Sequence, residues 1–431
     1  MPVALPKRPG RALAASLLCA CLVPLAACTD RGGETAASTS GTSSSTDQGG
    51  SSTTTNGTPS SSPASASTSA GPPSSSTTSD PAAACARQTA ERLTPEQRRG
   101  QLFMPALQAG AGTAEIDALI AGQHVGSVIY LGGWQGSALV KQRSAHLQAQ
   151  ATEAATGGVD LLVAADQEGG EVQQLRGEGF TRIPSASRQA AMAPAALTIA
   201  ATGWARELRA VGINVNLAPV ADTVPASLGR GNEPIGRWGR QYGSDPAVVA
   251  RASSAFLRGM HAGGVEAVVK HFPGLGRIRS NTDFSTTGIT DEQTGPGDAY
   301  LRPFQAGIDA GAGMVMVSSA RYPRLDPQAP AMFSTRIITG LLRGQMGYTG
   351  VVVTDDVHAV AVRAVPAAQR ATRLLAAGGD IVLTGQASDV PAMSQSVAAR
   401  AAADPAFAAK VDQSVERVLT LKARRGLLTC S

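Results

Sequence analysis

A single (β/α)8 barrel is the fold class this sequence predicts, carried behind an amino-terminal leader and a polar tether. Residues 85–431 hold eight short apolar runs that alternate with helical stretches. The runs are continuous, without apolar–polar alternation, which marks parallel strands covered on both faces. Several end in charged or polar residues, and the carboxyl ends of the strands are where such a barrel carries its chemistry. A doubly wound open sheet is the alternative assembly of the same units. No Gly-x-Gly-x-x-Gly follows the first strand, which argues against its dinucleotide-binding form.

The elements follow in chain order. In residues 1–28, Lys7, Arg8 and Arg11 precede an apolar stretch, Ala12 to Pro24, that is short for a membrane-spanning helix. The stretch closes on Leu25-Ala26-Ala27-Cys28, which resembles the lipobox of bacterial lipoproteins. That resemblance implies a signal peptide cleaved before Cys28 and a lipid on Cys28; an ordinary secretory signal with an incidental Cys28 is the alternative. Residues 29–84 are dominated by Ser, Thr, Gly, Ala and Pro without apolar periodicity. Such a segment buries too little surface to offset its ordering entropy and is expected to be a disordered linker. The expected location is extracytoplasmic, on the cell membrane, with the lipid as the only membrane contact.

The barrel is assigned to residues 85–431. Its strand candidates are Leu102 to Leu107, Val125 to Leu131, Leu161 to Ala165, Ile213 to Pro219, Val265 to Lys270, Met314 to Ser318, Gly350 to Thr354 and Asp380 to Leu383. Helices are expected between them, among others at 113–121, 195–210, 246–262, 300–310, 335–345 and 367–377. Gly263-Gly264 and Gly378-Gly379 fall just after helices, where a left-handed cap is wanted. The Gly- and Arg-rich loop Asp222 to Asp245 is long enough to shape a cleft.

Composition bounds the rest. Hydrophobic residues make up 43% and aromatics only 4%, so the core must come from Ala, Val, Leu and Ile. The net charge is +5 with no basic run interleaved with aromatics, which excludes a nucleic-acid footprint and leaves a general attraction to anionic wall polymer or lipid. Of the five cysteines, Cys19 and Cys21 leave with the signal and Cys28 carries lipid. Cys85 and Cys430 are then expected to form a disulfide clasping the ends of the barrel, with two free thiols as the alternative. On the loop-entropy model so long a loop contributes at most about 5 kcal/mol. The five histidines show no ligand-pair spacing and no cysteine cluster exists, so no metal or organic cofactor is expected.

Three runs carry the chemistry: Asp166-Gln167-Glu168-Gly169-Gly170, Lys270-His271-Phe272-Pro273-Gly274 and Val353-Thr354-Asp355-Asp356. Neighbouring side chains at a strand end diverge, so one of Asp355 and Asp356 is expected to face the barrel mouth while the other anchors the loop. Together with Leu217-Ala218-Pro219-Val220-Ala221-Asp222 and Arg240-Gln241-Tyr242-Gly243, these runs resemble glycoside hydrolase family 3 over essentially all of residues 85–431. The branch most similar is that of single-domain bacterial β-N-acetylglucosaminidases.

The resemblance implies a retaining exo-glycosidase acting on terminal β-linked N-acetylglucosamine, as in peptidoglycan fragments. It places the nucleophile on Asp355 and sugar contacts on Asp166, Arg240, Lys270 and His271. A monomer is expected.

The chain departs from the branch at its acid/base. The branch carries Lys-His-Phe-Pro-Gly-His-Gly and an Asp-Ser-His segment; here Leu275 replaces the first histidine and Asn281-Thr282-Asp283 the segment. A further arginine contact falls on Gln174, with Arg176 two residues on as the candidate substitute, and Ser319 stands where the branch has His. Either Asp283 is the acid/base, its pKa raised by Asp355 and burial, or the loop has lost its acid. The second case leaves a weak or inactive sugar-binding lipoprotein. A β-glucosidase-type activity is the remaining alternative.

Overall fold

The computed structural model describes residues 80–430. The signal assignment, Cys28 and most of the linker lie outside these residues. The first helix, Pro81–Arg92, opens inside the segment assigned to the linker. Asp80 caps it by accepting the Ala82 N–H at 3.0 Å, and Pro81 fills the first turn. The linker therefore ends before 84, and the Asp-Pro pair is the start signal that its Ser/Thr-rich surroundings obscured.

Eight strands make the barrel: β1 Phe103–Gln108, β2 Ser127–Leu131, β3 Leu162–Ala165, β4 Val215–Asn216, β5 Glu266–Phe272, β6 Met314–Val317, β7 Val351–Thr354 and β8 Val382–Thr384. Each pairs in parallel with its sequence neighbours, and β8 returns to β1 through Phe103↔Val382. The cylinder closes between β7 and β8 through the bridge Val353↔Ile381 and the Thr354 N–H to Ile381 carbonyl bond of 3.0 Å. Every predicted strand is present. The fourth is regular only at Val215–Asn216, because Pro219 has no N–H to give; its carbonyl still accepts from Lys270 N at 3.1 Å.

Helices cover the outside. Pro194–Ala210 and Pro246–Ala262 pack closely because Gly259 and Gly263 lie against the first of them. A Cβ on Gly263 would sit 2.3 Å from the Ala205 Cβ, and one on Gly259 would sit 2.5 Å from the Thr198 carbonyl oxygen. Two expected α-helices differ in detail. Residues 300–310 begin as a 3-10 turn and become α-helical at Arg302–Asp309, where Pro303 fits the first turn. Arg336–Gln345 is wound as a π-helix, with Gly340 and Gly344 inside it.

Polar clamps seal the amino end of the cylinder. Glu266, at the start of β5, accepts from His261 Nε2 at 2.9 Å, Gly313 N at 3.0 Å and Arg425 Nε at 2.8 Å. Asp380, ahead of β8, holds Arg343 at 2.7 Å and Arg417 at 3.2 Å. Lys422, on the last helix Pro405–Arg424, donates to Gln101 Oε1, the Gly126 carbonyl and the Asp160 carbonyl at 2.6, 2.8 and 2.8 Å. Cys85 and Cys430 are joined by a disulfide with Cα atoms 5.4 Å apart, as expected.

Candidate active site

The opposite end of the cylinder is open. A cavity of about 360 Å³ is lined by residues from the carboxyl ends of most strands, including Asp166 after β3, Lys270 and His271 on β5, and Asp355 after β7. Long loops add Arg240 and Asp283. Continuous apolar strands put the backbone in the wall, and the first polar residue past each strand turns into the mouth.

Its floor is an ionic cluster. Lys270 Nζ donates to Asp166 Oδ1 at 2.5 Å and lies 2.6 Å from Glu168 Oε1. Arg240 grips Glu168 with two nitrogens, at 2.9 and 2.6 Å. Burial would raise the Glu168 carboxyl, but the Arg240 and Lys270 charges outweigh it and hold the pKa at about 2. Burial likewise works to lower Lys270, and Asp166 and Glu168 reverse it, so this lysine stays charged. The resemblance gave Lys270 and Arg240 only as sugar contacts. In the structure their direct partners are Asp166 and Glu168, two carboxylates that follow β3 closely in the chain.

A second cluster aims the histidine. Asp222, fully buried, accepts from His271 Nδ1 at 2.7 Å and from Leu275 N at 2.7 Å. The carboxylate requires the proton on Nδ1, so Nε2 presents its lone pair beside Arg240, whose nitrogen is 3.4 Å away. The Lys270–His271 and Phe272–Pro273 peptides are cis.

Asp355 and Asp356 divide their work much as expected, although both line the cavity. Asp356 Oδ1 accepts from His358 N at 2.7 Å and from Gly385 N at 2.9 Å, tying the β7 loop to the end of β8. Asp355 Oδ1 accepts the Asp356 N–H at 3.0 Å. Across the mouth, the Asp283 backbone is fastened to the segment after β7: its carbonyl accepts from Val360 N at 3.2 Å, and that of Thr282 from Ala361 N at 3.0 Å. The Asp283 side chain is reachable by water in the empty pocket. The protein packed around it nevertheless pushes its pKa up, and Asp355 and Asp356 add to this against Arg240 and His271, bringing it to about 7. A sugar filling the mouth would exclude water further in the same direction.

The structure therefore brings Asp166, Arg240, Lys270, His271, Asp283 and Asp355 to one cavity. Arg176 is the exception. Its guanidinium is held by the Gln173 and Glu171 carbonyls at 2.5 and 3.0 Å and is absent from the cavity lining. The short strand Leu175–Arg176 pairs with Trp134–Gln135, and this pairing fixes the residue away from the mouth. Sequence reasoning assigned no role to Glu168 or Asp222. Their signal was available: each is an acid inside a run already singled out, at a position that burial obliges to carry a cation or N–H partner.

Comparison with known proteins agrees with this fold. Residues 94–421 match the model of the "Glycosyl hydrolase family 3 N terminal domain". A crystal structure of a β-N-acetylhexosaminidase from Beutenbergia cavernae superposes with a TM-score of 0.74 at 49% identity, covering 77% of this chain and 98% of that one. A β-hexosaminidase of Xanthomonas oryzae pv. oryzae is 40% identical over 231 residues, 52% of this chain and 66% of its own length. A β-hexosaminidase of Xylella fastidiosa is 37% identical over 277 residues, 62% of this chain and 78% of its own. The aligned region thus spans just under two thirds of the Xanthomonas relative. With the closed parallel barrel, the strand-end carboxylates and the family match over the same residues, the chain belongs to glycosyl hydrolase family 3.

Proposed function

We propose that this chain is a retaining exo-glycosidase that removes terminal β-linked N-acetylglucosamine, with Asp355 as nucleophile and Asp283 as general acid/base. The observation that carries the reading is that two carboxyls in one pocket meet opposite requirements. Asp283, held at about 7, keeps a substantial protonated fraction at neutral pH and is largely protonated below it, while Asp355 lines the same cavity at the end of β7. That division of labour is the one a retaining glycosidase needs. The names of the β-hexosaminidase relatives support N-acetylglucosamine over glucose.

Asp166, Lys270, Arg240 and the His271 Nε2 bind and orient the terminal sugar through its hydroxyls. Asp355 attacks the anomeric carbon as Asp283 gives its proton to the leaving oxygen, forming a covalent glycosyl-enzyme. Asp283, now ionised, takes a proton from water, which attacks the same carbon and releases the sugar with its configuration retained. Asp355 and Asp356 line the cavity beyond the Asp166–Lys270 and Glu168–Arg240 pairs, a field suited to the positive charge that develops on the sugar ring.

The test is hydrolysis of an aryl β-N-acetylglucosaminide by purified protein, with the anomer followed by NMR. The β-anomer should form first, and Asp355→Asn should lower kcat by more than about 10⁴-fold. An unchanged rate in that variant would refute the nucleophile. Saccharide binding without turnover would favour the sugar-binding alternative, and faster cleavage of an aryl β-glucoside the β-glucosidase one.

The proposed setting is a monomer lipid-anchored through Cys28 on the outer face of the cell membrane, acting on wall-derived saccharides. Cys28→Ser should move the protein from the membrane fraction to the soluble one.

A further inference from the structure

Arg240 and Asp283 line the cavity from loops rather than from strands. Residues 273–298 form no helix or strand of the fold, and 217–245 hold only two 3-10 turns, Gly229–Gly231 and Gly236–Trp238. Loops of that length keep one shape only where their polar backbone finds partners. Asn232, fully buried, supplies four of them. Its Nδ2 donates to the Leu275 and Ile278 carbonyls, each at 2.7 Å, and its Oδ1 accepts from Ile235 N at 3.0 Å and Gly236 N at 2.7 Å. A primary amide has two N–H bonds and two lone pairs, and here all are used, the donors on one loop and the acceptor on the other. The partners also fix its orientation, since a flipped amide would set oxygen against carbonyls and N–H against N–H.

We infer that Asn232 is a positioning residue that holds the arginine gripping the sugar and the carboxyl protonating the leaving oxygen in one register. The inference rests on the exo-glycosidase reading and adds a residue, absent from the cavity lining, on which that chemistry depends. From Oδ1 the connection runs through the turn at Ile235 and Gly236. The Ile235 carbonyl accepts Arg240 N at 3.2 Å, and the neighbouring Pro234 carbonyl accepts the Arg240 guanidinium at 2.8 Å. From Nδ2 it runs to Leu275, whose own N–H donates to Asp222, the carboxylate that holds His271. Past Ile278 the seam continues toward Asp283. Glu233 N donates to the Arg279 carbonyl at 3.0 Å, Asn281 N to Glu233 Oε2 at 3.1 Å, and Asn281 Oδ1 accepts Asp283 N at 2.9 Å. An aspartate of the same size would turn a carboxylate on two carbonyl oxygens. Asn232→Asp therefore cuts the link between the loops while leaving an acceptor for Ile235 and Gly236.

The experiment compares Asn232→Asp with the unsubstituted full chain in two ways. Amide exchange followed by mass spectrometry reads the link itself: peptides from 232–240 and from 275–284 should both exchange about tenfold faster, with the barrel strands unchanged. Initial rates read its consequence. KM for an aryl β-N-acetylglucosaminide should rise about three- to tenfold as Arg240 and His271 lose their setting. The rate for the β-1,4-linked disaccharide of N-acetylglucosamine, relative to the aryl glycoside, should fall about tenfold, because only the disaccharide needs a well-placed acid. Faster exchange in only one of the two loops would overturn the inference. So would a lower melting temperature with KM and the rate ratio unchanged, since a residue that only supports the fold moves neither. Should Asn232→Asp not fold, Glu233→Ala removes the exposed acceptor of Asn281 N; it should lower the same ratio about two- to threefold, and no fall would overturn the link. If the unsubstituted chain fails to cleave the aryl glycoside while Asn232→Asp loosens both loops, the catalytic reading falls and the coupling of the loops stands.

Discussion

Two lysines lie wholly inside this barrel, Lys270 near its carboxyl end and Lys422 at its amino end, and the protein treats them in opposite ways. Lys422 is surrounded by neutral acceptors, one amide and two carbonyl oxygens that match the three N–H bonds of an ammonium. With no carboxylate bonded to it, burial pushes its pKa down to about 7. Lys270 faces Asp166 and Glu168, and its pKa goes up. The first is a peg that pins the last helix under β1 to β3. The second belongs to a charge cluster that opens on a cavity, which Asp283, Asp355 and Asp356 also line. Hydrogen bonds complete within the protein mark structure; charge left aimed at empty space marks chemistry.

That contrast can be broken most sharply at the open end. Asp283→Ala should lower kcat/KM by about 10²–10⁴-fold for substrates with poor leaving groups, much less for aryl glycosides, with azide restoring rate to the latter. Its stability should hardly suffer at neutral pH. A folded-state pKa near 7, above the ordinary aspartate value of 3.8, means that Asp283 opposes folding increasingly as pH rises from about 4 to about 7. A Tm at pH 8 well below that of the unsubstituted chain would show Asp283 to be a structural anchor instead.

At the sealed end the signs reverse. Lys422→Met should cost about 2–4 kcal/mol of stability, because three buried acceptors lose their donor, while kcat of the folded fraction holds. The folded pKa of Lys422 lies below its unfolded value of about 10.4, so the folded state binds fewer protons between about pH 7 and 10. Stability of the unsubstituted protein should therefore climb across that window. Thermal melts of Lys422→Met should lose the climb, and a parallel climb in both proteins would refute the assignment.

Catalysis should respond to pH through Asp283 alone at the alkaline side. In the proposed mechanism Asp283 must be protonated to act as the acid, so kcat/KM should fall about tenfold per pH unit above about 7. The fall should vanish in Asp283→Ala. Arg176→Ala should be the mildest change of all, under about threefold in kcat/KM, since its guanidinium serves two loop carbonyls outside the cavity. A tenfold loss would return Arg176 to the sugar site.

Much of this was legible along the chain, for local reasons. Short β-branched runs such as Val351–Val353 between turn signals read as strands buried on both faces, and eight such units separated by helices leave few architectures. The residues just past those runs, Asp166, Lys270, His271 and Asp355, were readable as site residues because strand ends have a fixed place in a closed parallel barrel. Asp283 was readable from the position it occupies in a loop that otherwise keeps the family's order. Arg176 misled because its nearness in sequence to Gln174 says nothing of direction, and a two-residue strand pairing with Trp134–Gln135 turns it away.

The sequence by itself determined the eight strand-and-helix units and the strand-end location of the chemistry, and made the barrel and the Cys85–Cys430 pair the expected outcomes, because periodicity, strand termini and cysteine count are local or countable properties. Only the tertiary structure decided who neutralises whom. That Glu168, not Asp355, takes the Arg240 fork, that Asp222 sets the His271 tautomer, and that Asn232 bonds to the Leu275 carbonyl all depend on distances between residues far apart in the chain. Electrostatic partnership falls off with separation in space and carries no signature in order along the chain.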